Sequence, residues 1–123
     1  MKIIVDTHIY LWMLGCPEKL SQSKQYELKS PANEIFLSAV SIAEMMIKHS
    51  IGKIKINFDP MDMARQSGLE LLNFSGPDAM VLGNLPFHHK DPFDRMLIAQ
   101  AMVNKFHLMS EDPKFKLYHC KII

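Results

Sequence analysis

A chain of 123 residues with 48% hydrophobic and 22% charged residues is expected to fold as one domain, spanning residues 1–123, around a substantial core. A formal net charge of +1 argues against an avid non-specific nucleic-acid binder, so any contact with nucleic acid must be local. Apolar runs fall short of the ~18 residues of a membrane span, and two distant cysteines predict reduced thiols, so we expect a cytoplasmic protein without membrane association.

Strand and helix patterns alternate along the chain. In order, the first half predicts a strand at Lys2–Val5, helices at Thr7–Leu14 and Ser21–Lys29, a strand at Glu34–Leu37 and a helix at Ser41–Ser50. The second half predicts a helix at Pro60–Gly68, a strand at Leu69–Phe74, helices at Pro77–Asn84 and Pro92–Lys105, a strand at Phe106–Met109, a turn at Pro113–Lys116 and a strand at Lys121–Ile123. Strands joined by helices form parallel βαβ units, so we predict a three-layer α/β/α sandwich with a short, mainly parallel central sheet.

Two acids occupy positions that favour a functional role. Asp6 follows the apolar run Ile3–Val5 without an intervening turn residue, and nothing local requires an acid there. Asp94 opens a helix face that is otherwise apolar and carries Leu97 and Ile98. A buried carboxylate loses hydration, so such groups persist when a partner compensates them.

Glu44 and Asp112 are two further acids in similar positions. Ligands in open α/β sheets bind beyond the carboxyl ends of the strands, where Asp6 and Asp112 are expected. Glu44 and Asp94 are predicted in the first turns of helices, which face the same edge. We therefore expect the four acids to converge, and a divalent cation is the simplest partner for them.

Local helix capping offers an alternative interpretation for several of these acids. Glu44 follows Ser41 by three residues, which is the spacing of a capping box. Asp91 and Asp112 each precede a proline that starts a helical turn, so each is a candidate N-cap. Capping alone accounts for Asp91, whereas Asp6 has the weakest local explanation.

The residue types favour phosphodiester hydrolysis with a divalent ion. Mg²⁺ and Mn²⁺ prefer oxygen ligands and are held by a few carboxylates together with the substrate phosphate. The chain lacks a Walker-type phosphate loop and any recognised Ser, Cys or Thr nucleophile motif. The expected chemistry is attack on phosphorus by metal-activated water.

Two rival classes have weaker support. A zinc hydrolase would need a motif such as His-Glu-x-x-His, and the adjacent His88 and His89 in a polar loop are expected at the surface. A receiver domain would need a phosphoacceptor aspartate after the strand ending near Leu37, where the chain has Ser38.

Lysines near the predicted helix ends are candidates for phosphate contact. Lys48, Lys53 and Lys90 belong to short basic clusters, and a solvated surface is the alternative explanation for each of them.

The segments that carry these acids resemble the motifs of PIN-domain proteins, in particular the toxin branch called VapC. The resembling segments are KIIVDTHIYLWML (Lys2–Leu14), LSAVSIAEM (Leu37–Met45), IGKIKI (Ile51–Ile56), HHKDPFDRMLIAQA (His88–Ala101) and LMSEDPKF (Leu108–Phe115). They occur in the family's order and cover essentially the whole chain, which is far more specific than one motif.

The resemblance implies a compact PIN-like fold and an Mg²⁺- or Mn²⁺-dependent endoribonuclease. The acids implied as catalytic and metal-binding are Asp6, Glu44, Asp94 and Asp112. Asp91 is implied as an additional acid that supports this site, and Ser110 as a hydrogen-bonding partner of a ligand or water. Glu111 departs from the family, which more often has a basic or neutral residue there, and this bears on substrate preference.

The resemblance also implies partners. Most family members of this size are toxins neutralised by a small VapB-like antitoxin, act on RNA and form homodimers, and Lys48, Lys53 and Lys90 would then contact the RNA. One alternative is a degenerate PIN fold that serves as an RNA-binding or protein-binding scaffold without catalysis, and the presence of all four acids argues against it. A structure-specific DNA nuclease is a further alternative, which the short chain disfavours.

Overall fold

The sheet of this protein is entirely parallel. A computed structural model describes residues 1–123. Its strands are β1 (Lys2–Val5), β2 (Glu34–Ser38), β3 (Glu70–Leu72), β4 (His107–Met109) and β5 (Lys121–Ile122). They lie in the order β3-β2-β1-β4-β5, and every neighbouring pair is parallel. The predicted α/β class with a parallel central sheet is confirmed.

Six α-helices connect and cover the strands. They are α1 (Thr7–Gly15), α2 (Gln22–Lys29), α3 (Ala39–Ser50), α4 (Pro60–Gln66), α5 (Gly76–Val81) and α6 (Pro92–Asn104). Short 3-10 turns occupy Pro17–Lys19 and Pro113–Leu117. Each predicted strand and helix is present, although the third strand and the fifth helix are shorter than expected.

Helix α3 begins two residues before its predicted start. Strand β2 runs directly into the helix, and the Ser38 side chain caps it by accepting a hydrogen bond from the Val40 N–H at 3.0 Å. Glu44 therefore lies in the second turn, and its carboxylate makes no bond to the helix terminus. The expected position of Glu44 in the first turn, and its capping-box interpretation, are wrong because the cap lies three residues before Ser41.

The central strand β1 is buried on both faces. Ile3 and Val5 face one core, which includes Tyr10 of α1, whereas Ile4 faces a second core, which includes Leu97 of α6. Full burial of each aliphatic side chain contributes roughly 1.5–3 kcal/mol. The two cores fix β1 in the middle layer and thereby fix the backbone that leads into Asp6.

The strand ends share one level at the carboxyl edge of the sheet. Val5 pairs in register with Leu37 of β2 and with Met109 of β4. Asp6 is the first residue after β1, and Ser110 is the first residue after β4. The topology therefore brings distant parts of the sequence to the same edge.

No helix in this chain combines the length and the apolar character needed to cross a membrane.

Candidate metal centre

Asp6 is buried at the point where β1 passes into α1. It is the N-cap of α1, and its Oδ1 accepts a hydrogen bond from the Ile9 N–H at 2.8 Å. Asp6 therefore has a local structural role that the sequence did not suggest. Burial raises the pKa of the Asp6 carboxyl, and hydrogen bonds from Ser110 and Ile9 offset part of this effect.

Glu44 is also buried, and both of its carboxylate oxygens have protein partners. Oε1 accepts a hydrogen bond from the Thr7 hydroxyl at 2.6 Å, and Oε2 lies 2.6 Å from the Lys48 ammonium. Thr7 directly follows Asp6 in the chain, so this bond ties α3 to the start of α1. Glu44 is held at the site by a neutral donor and by a cation.

Asp94 and Asp112 meet at the ring of His89. The Nε2 atom of His89 lies 2.8 Å from Asp112 Oδ2 and 3.0 Å from Asp94 Oδ2. The imidazole nitrogen and the two carboxylates offer atoms that all lie within 4.8 Å of one another. Helix α6 supplies Asp94, and the segment after β4 supplies Asp112.

Asp94 has the most strongly shifted carboxyl group of the site. Burial is the main cause that raises its pKa to about 8, and the negative charges of Asp91, Glu44, Asp6 and Asp112 add to the effect. These four carboxylates therefore act on Asp94 in one shared electrostatic environment. The expected convergence of the acids is present in the structure.

Asp112 experiences a different balance of effects. Burial raises the pKa of its carboxyl, but hydrogen bonds from the Lys114 N–H and from His89 outweigh burial and hold it below its usual value. The Lys114 bond, at 2.9 Å, makes Asp112 the N-cap of the last 3-10 turn, as the sequence suggested. Ser110 supports this segment by accepting a hydrogen bond from the Asp112 N–H at 3.0 Å.

Asp91 caps helix α6, as its position before Pro92 predicted. Its Oδ1 accepts hydrogen bonds from the Phe93 N–H at 2.9 Å and from the Asp94 N–H at 3.0 Å. Its charge also raises the pKa of Asp94, so the cap lies close enough to influence the pocket.

His89 is the residue of this pocket that sequence analysis missed. His88 is exposed as expected, but His89 is only 7% exposed, and the expectation that both lie at the surface is wrong. The physical reason is its partners, since its ring contacts Asp94 of α6 and forms a hydrogen bond with Asp112 of the C-terminal segment. The only local feature of the sequence that could have indicated its burial is its position two residues before the helix cap Asp91.

The predicted RNA-contacting lysines differ in their surroundings. Lys48 is bonded to Glu44, and this hydrogen bond raises the pKa of its ammonium group, with smaller contributions from Asp91 and Asp94. Lys53 and Lys90 are exposed. Glu111, the departure from the family pattern, forms an ion pair with Lys24 at 3.1 Å.

The donor set fits a divalent cation that prefers oxygen. Asp6, Asp94 and Asp112 bring carboxylates to one partly buried place, and Asp94 shows the repulsion that such clustering produces. A divalent ion relieves that repulsion and accepts carboxylate oxygen readily. The fold and the pocket thus define an α/β protein with a carboxylate-rich candidate cation site.

The chain belongs to the PIN domain family, whose sequence profile matches residues 3–119. PIN domains are generally nucleases, and these nucleases generally depend on divalent metal ions. No curated protein sequence matches this chain significantly.

Several solved structures share the fold. VapBC2 from Rickettsia felis, solved with a DNA fragment from its promoter, has a TM-score of 0.73 at 18% identity, with 100% of this chain and 98% of that chain covered. DNA-bound VapBC from Salmonella typhimurium also has a TM-score of 0.73, at 14% identity and with 100% and 97% coverage. VapBC-5 from Mycobacterium tuberculosis, a member of the VapBC family of toxin-antitoxin systems, has a TM-score of 0.59 at 13% identity, with 99% and 95% coverage.

Proposed function

We propose that this protein is an Mg²⁺- or Mn²⁺-dependent endoribonuclease and the toxin of a toxin–antitoxin pair. The observation that carries the proposal is the pocket itself. The chain belongs to the PIN domain family, and its acids Asp6, Glu44 and Asp112 lie close enough to Asp94 to help raise the pKa of Asp94 to about 8. Such crowding of acids is unfavourable without a cation, and it is typical of sites that bind one.

Each residue of the pocket has a defined task in this proposal. Asp94 and Asp112 hold the ion, with Asp6 as the third carboxylate near them. Glu44 is the fourth acid of the proposed metal site, held in place by Thr7 and Lys48, and Ser110 holds the backbone of Asp112 in place. Mg²⁺ or Mn²⁺ bound here would activate a water for attack on phosphorus and neutralise the charge that develops on the phosphate.

The substrate is proposed to be RNA that lies across the pocket rim. Lys53 and Lys90 are exposed and free to contact phosphates, while Lys48 presents its cation beside Glu44. The ion pair with Lys24 offsets the negative charge of Glu111 near Asp112. This pairing reduces the repulsion of phosphate that the departure from the family pattern would otherwise cause.

The partner is proposed to be a small VapB-like antitoxin. The likeness to VapBC complexes supports it, because the whole chain matches one component of each complex. An acidic pocket also favours a basic side chain from a partner, which would satisfy the carboxylates as a cation does. A homodimer through the partly exposed apolar side chains of α1, such as Leu11 and Trp12, is part of the same proposal.

Cleavage of end-labelled single-stranded RNA by the purified protein tests the function. We expect cleavage with Mg²⁺ or Mn²⁺, none in excess chelator, and none from the Asp6→Asn variant, with Glu18→Gln as an exposed-acid control. Cleavage that persists in chelator would contradict the metal-dependent site. Metal-independent RNA binding without cleavage would instead support the non-catalytic scaffold, and preferential cleavage of DNA would contradict the RNA substrate.

A further inference from the structure

The loop between α5 and α6 is held by a buried arginine. The guanidinium of Arg95 donates to three main-chain carbonyls of that loop, to Pro86 at 2.8 Å, to Leu85 at 3.1 Å and to His89 at 3.3 Å. Arg95 follows Asp94 directly in α6. The helix that supplies Asp94 to the pocket therefore also fixes the loop that carries His89.

A second buried side chain fixes the same loop from the C-terminal segment. The Tyr118 hydroxyl accepts a hydrogen bond from the His89 N–H at 2.8 Å and donates one to the Pro86 carbonyl at 2.7 Å. Main-chain bonds to both Arg95 and Tyr118 leave His89 little freedom to move.

The hydrogen bonds of the ring define its protonation pattern. A main-chain N–H can only donate, so His89 Nδ1, which lies 3.1 Å from the Asp91 nitrogen, accepts and carries no proton. The ring proton is therefore on Nε2, which lies between the Oδ2 atoms of Asp112 and Asp94 at 2.8 and 3.0 Å. The Nε2–H of His89 donates a hydrogen bond to Asp112, and the same nitrogen lies in close polar contact with Asp94 Oδ2.

This arrangement argues against His89 as a metal ligand. A neutral imidazole that binds a cation through Nε2 must carry its proton on Nδ1. A proton on Nδ1 would point at the Asp91 N–H, which is also a donor. The hydrogen bond between them would be lost, and the two N–H groups would repel each other. The ring is thus arranged to bond the ligands and not the ion.

We propose that His89 is a positioning residue of the metal centre: its Nε2 binds Asp112 and contacts Asp94, which fixes the two carboxyl groups relative to each other and leaves their other oxygen atoms to the cation. This inference rests on the proposed metal-dependent function. Its physical basis is that Asp94 and Asp112 lie against the same nitrogen of a firmly held ring, so the imidazole sets the distance between the two carboxyl groups in the metal-free protein. Groups that orient metal ligands typically change metal affinity about 10–100-fold when they are lost.

Calorimetric titration with Mn²⁺ tests the proposal without relying on catalysis. His89→Leu is expected to weaken Mn²⁺ binding about 10–100-fold, because it removes the nitrogen that binds Asp112 and contacts Asp94. His89→Gln should restore most of the affinity, since its amide nitrogen offers two N–H donors near the position of imidazole Nε2. His88→Leu, at the exposed neighbouring histidine, is the matched control and should bind as the wild type does.

A spectroscopic measurement separates positioning from ligation. Electron spin echo spectra of the Mn²⁺-loaded wild type should lack the coupling of a directly bound ¹⁴N nucleus, and such a coupling would overturn the proposal. Wild-type affinity in His89→Leu, or equal losses in His89→Leu and His89→Gln, would also overturn it. If the wild type binds no Mn²⁺, the proposed metal-dependent function fails together with this role.

Tyr118→Phe provides a second variant if His89→Leu does not fold. It retains the aromatic ring in the core and removes the hydroxyl that accepts from the His89 N–H. We expect weaker Mn²⁺ binding with an unchanged far-ultraviolet circular dichroism spectrum. Binding as tight as that of the wild type would show that the position of His89 does not control the site.

Discussion

The ammonium group of Lys48 lies 2.6 Å from Glu44 Oε2, one helical turn away on α3, so the protein carries its own cation at the edge of an acidic pocket. The Lys48 side chain is about one-third exposed, whereas the Glu44 side chain is almost fully buried. The pair therefore lowers the repulsion that Glu44 would otherwise add to the pocket. The ammonium group also binds one carboxylate oxygen of Glu44, while the Thr7 hydroxyl binds the other.

Replacement of Lys48 by glutamine is expected to destabilise the metal-free protein and to strengthen metal binding. Without the ammonium group, Glu44 keeps a buried charge with one neutral donor, and we expect a loss of about 1 kcal/mol in the free energy of unfolding. The added negative charge should tighten Mn²⁺ binding. Denaturant unfolding in chelator and Mn²⁺ titration measure the two effects, and the exposed Lys53→Gln is the control. Unchanged stability together with unchanged Mn²⁺ binding in Lys48→Gln would place Lys48 outside the charge balance of the pocket.

Asp94 gives the metal-free protein a defined pH dependence. Its pKa rises from 3.8 in the unfolded reference to about 8 in the folded protein, so the folded state holds a proton that the unfolded chain releases. The contribution of Asp94 to the free energy of unfolding should therefore be greatest below about pH 4. It should fall as the pH rises to about 8. Asp94→Asn should flatten that fall and raise the melting temperature in chelator at neutral pH.

Thermal melts in chelator across this pH range, with and without added Mg²⁺, check the prediction. Mg²⁺ should stabilise the wild type by binding linkage, and the Asp94→Asn variant should lose most of that response. Glu18→Gln, at an exposed acid that does not act on Asp94, should leave both curves unchanged. An Asp94→Asn variant that melts below the wild type in chelator and keeps the full Mg²⁺ response would identify Asp94 as a structural acid.

The sequence predicted the features that depend on local patterns. The apolar strand before Asp6, the cap Asp91 and the cap Asp112 follow from hydrophobic runs and from residues before proline, and these are local signals. The convergence of the acids followed from topology, because parallel strands place their carboxyl ends at one edge. Each of these inferences needed no knowledge of side-chain contacts.

The features that the sequence did not predict depend on long-range contacts. His89 is buried by partners in α6 and in the C-terminal segment, and Tyr118 bonds to its backbone from 29 residues away. The start of α3 was misplaced because Ser38 ends a strand and caps a helix at once, whereas Ser41 offered a plausible capping box. Tertiary structure decided both cases.

Loss of the Arg95 side chain is expected to be strongly destabilising. Arg95→Met leaves the buried carbonyls of Leu85 and His89 without this donor, and each unsatisfied buried group costs about 1–3 kcal/mol. The Pro86 carbonyl keeps its bond from the Tyr118 hydroxyl. Water that enters the loop would reduce this total, so we expect a loss of about 2–4 kcal/mol. Denaturant unfolding measures it, with the exposed Arg65→Met as the control. Losses of similar size in the two variants would show that the loop does not depend on Arg95.

The two acids at the start of α6 are expected to respond differently to the same substitution. Asp94→Asn removes a proposed ligand charge with little change of shape and should abolish RNA cleavage. Asp91→Asn should keep most of the cleavage and stability, because asparagine is as good an N-cap and can accept the same bonds from Phe93 and Asp94.

The same pair of variants also tests the electrostatics of the pocket. The charge of Asp91 raises the pKa of Asp94, so Asp91→Asn should lower that pKa and make Asp94 available to the cation at a lower pH. Because metal must displace the Asp94 proton, the Mn²⁺ affinity of the wild type should rise with pH up to about 8, and the rise should occur earlier in Asp91→Asn. Cleavage assays and Mn²⁺ titrations at several pH values make the comparison. An Asp91→Asn variant as inactive as Asp94→Asn would show that Asp91 itself holds the ion and does more than cap α6.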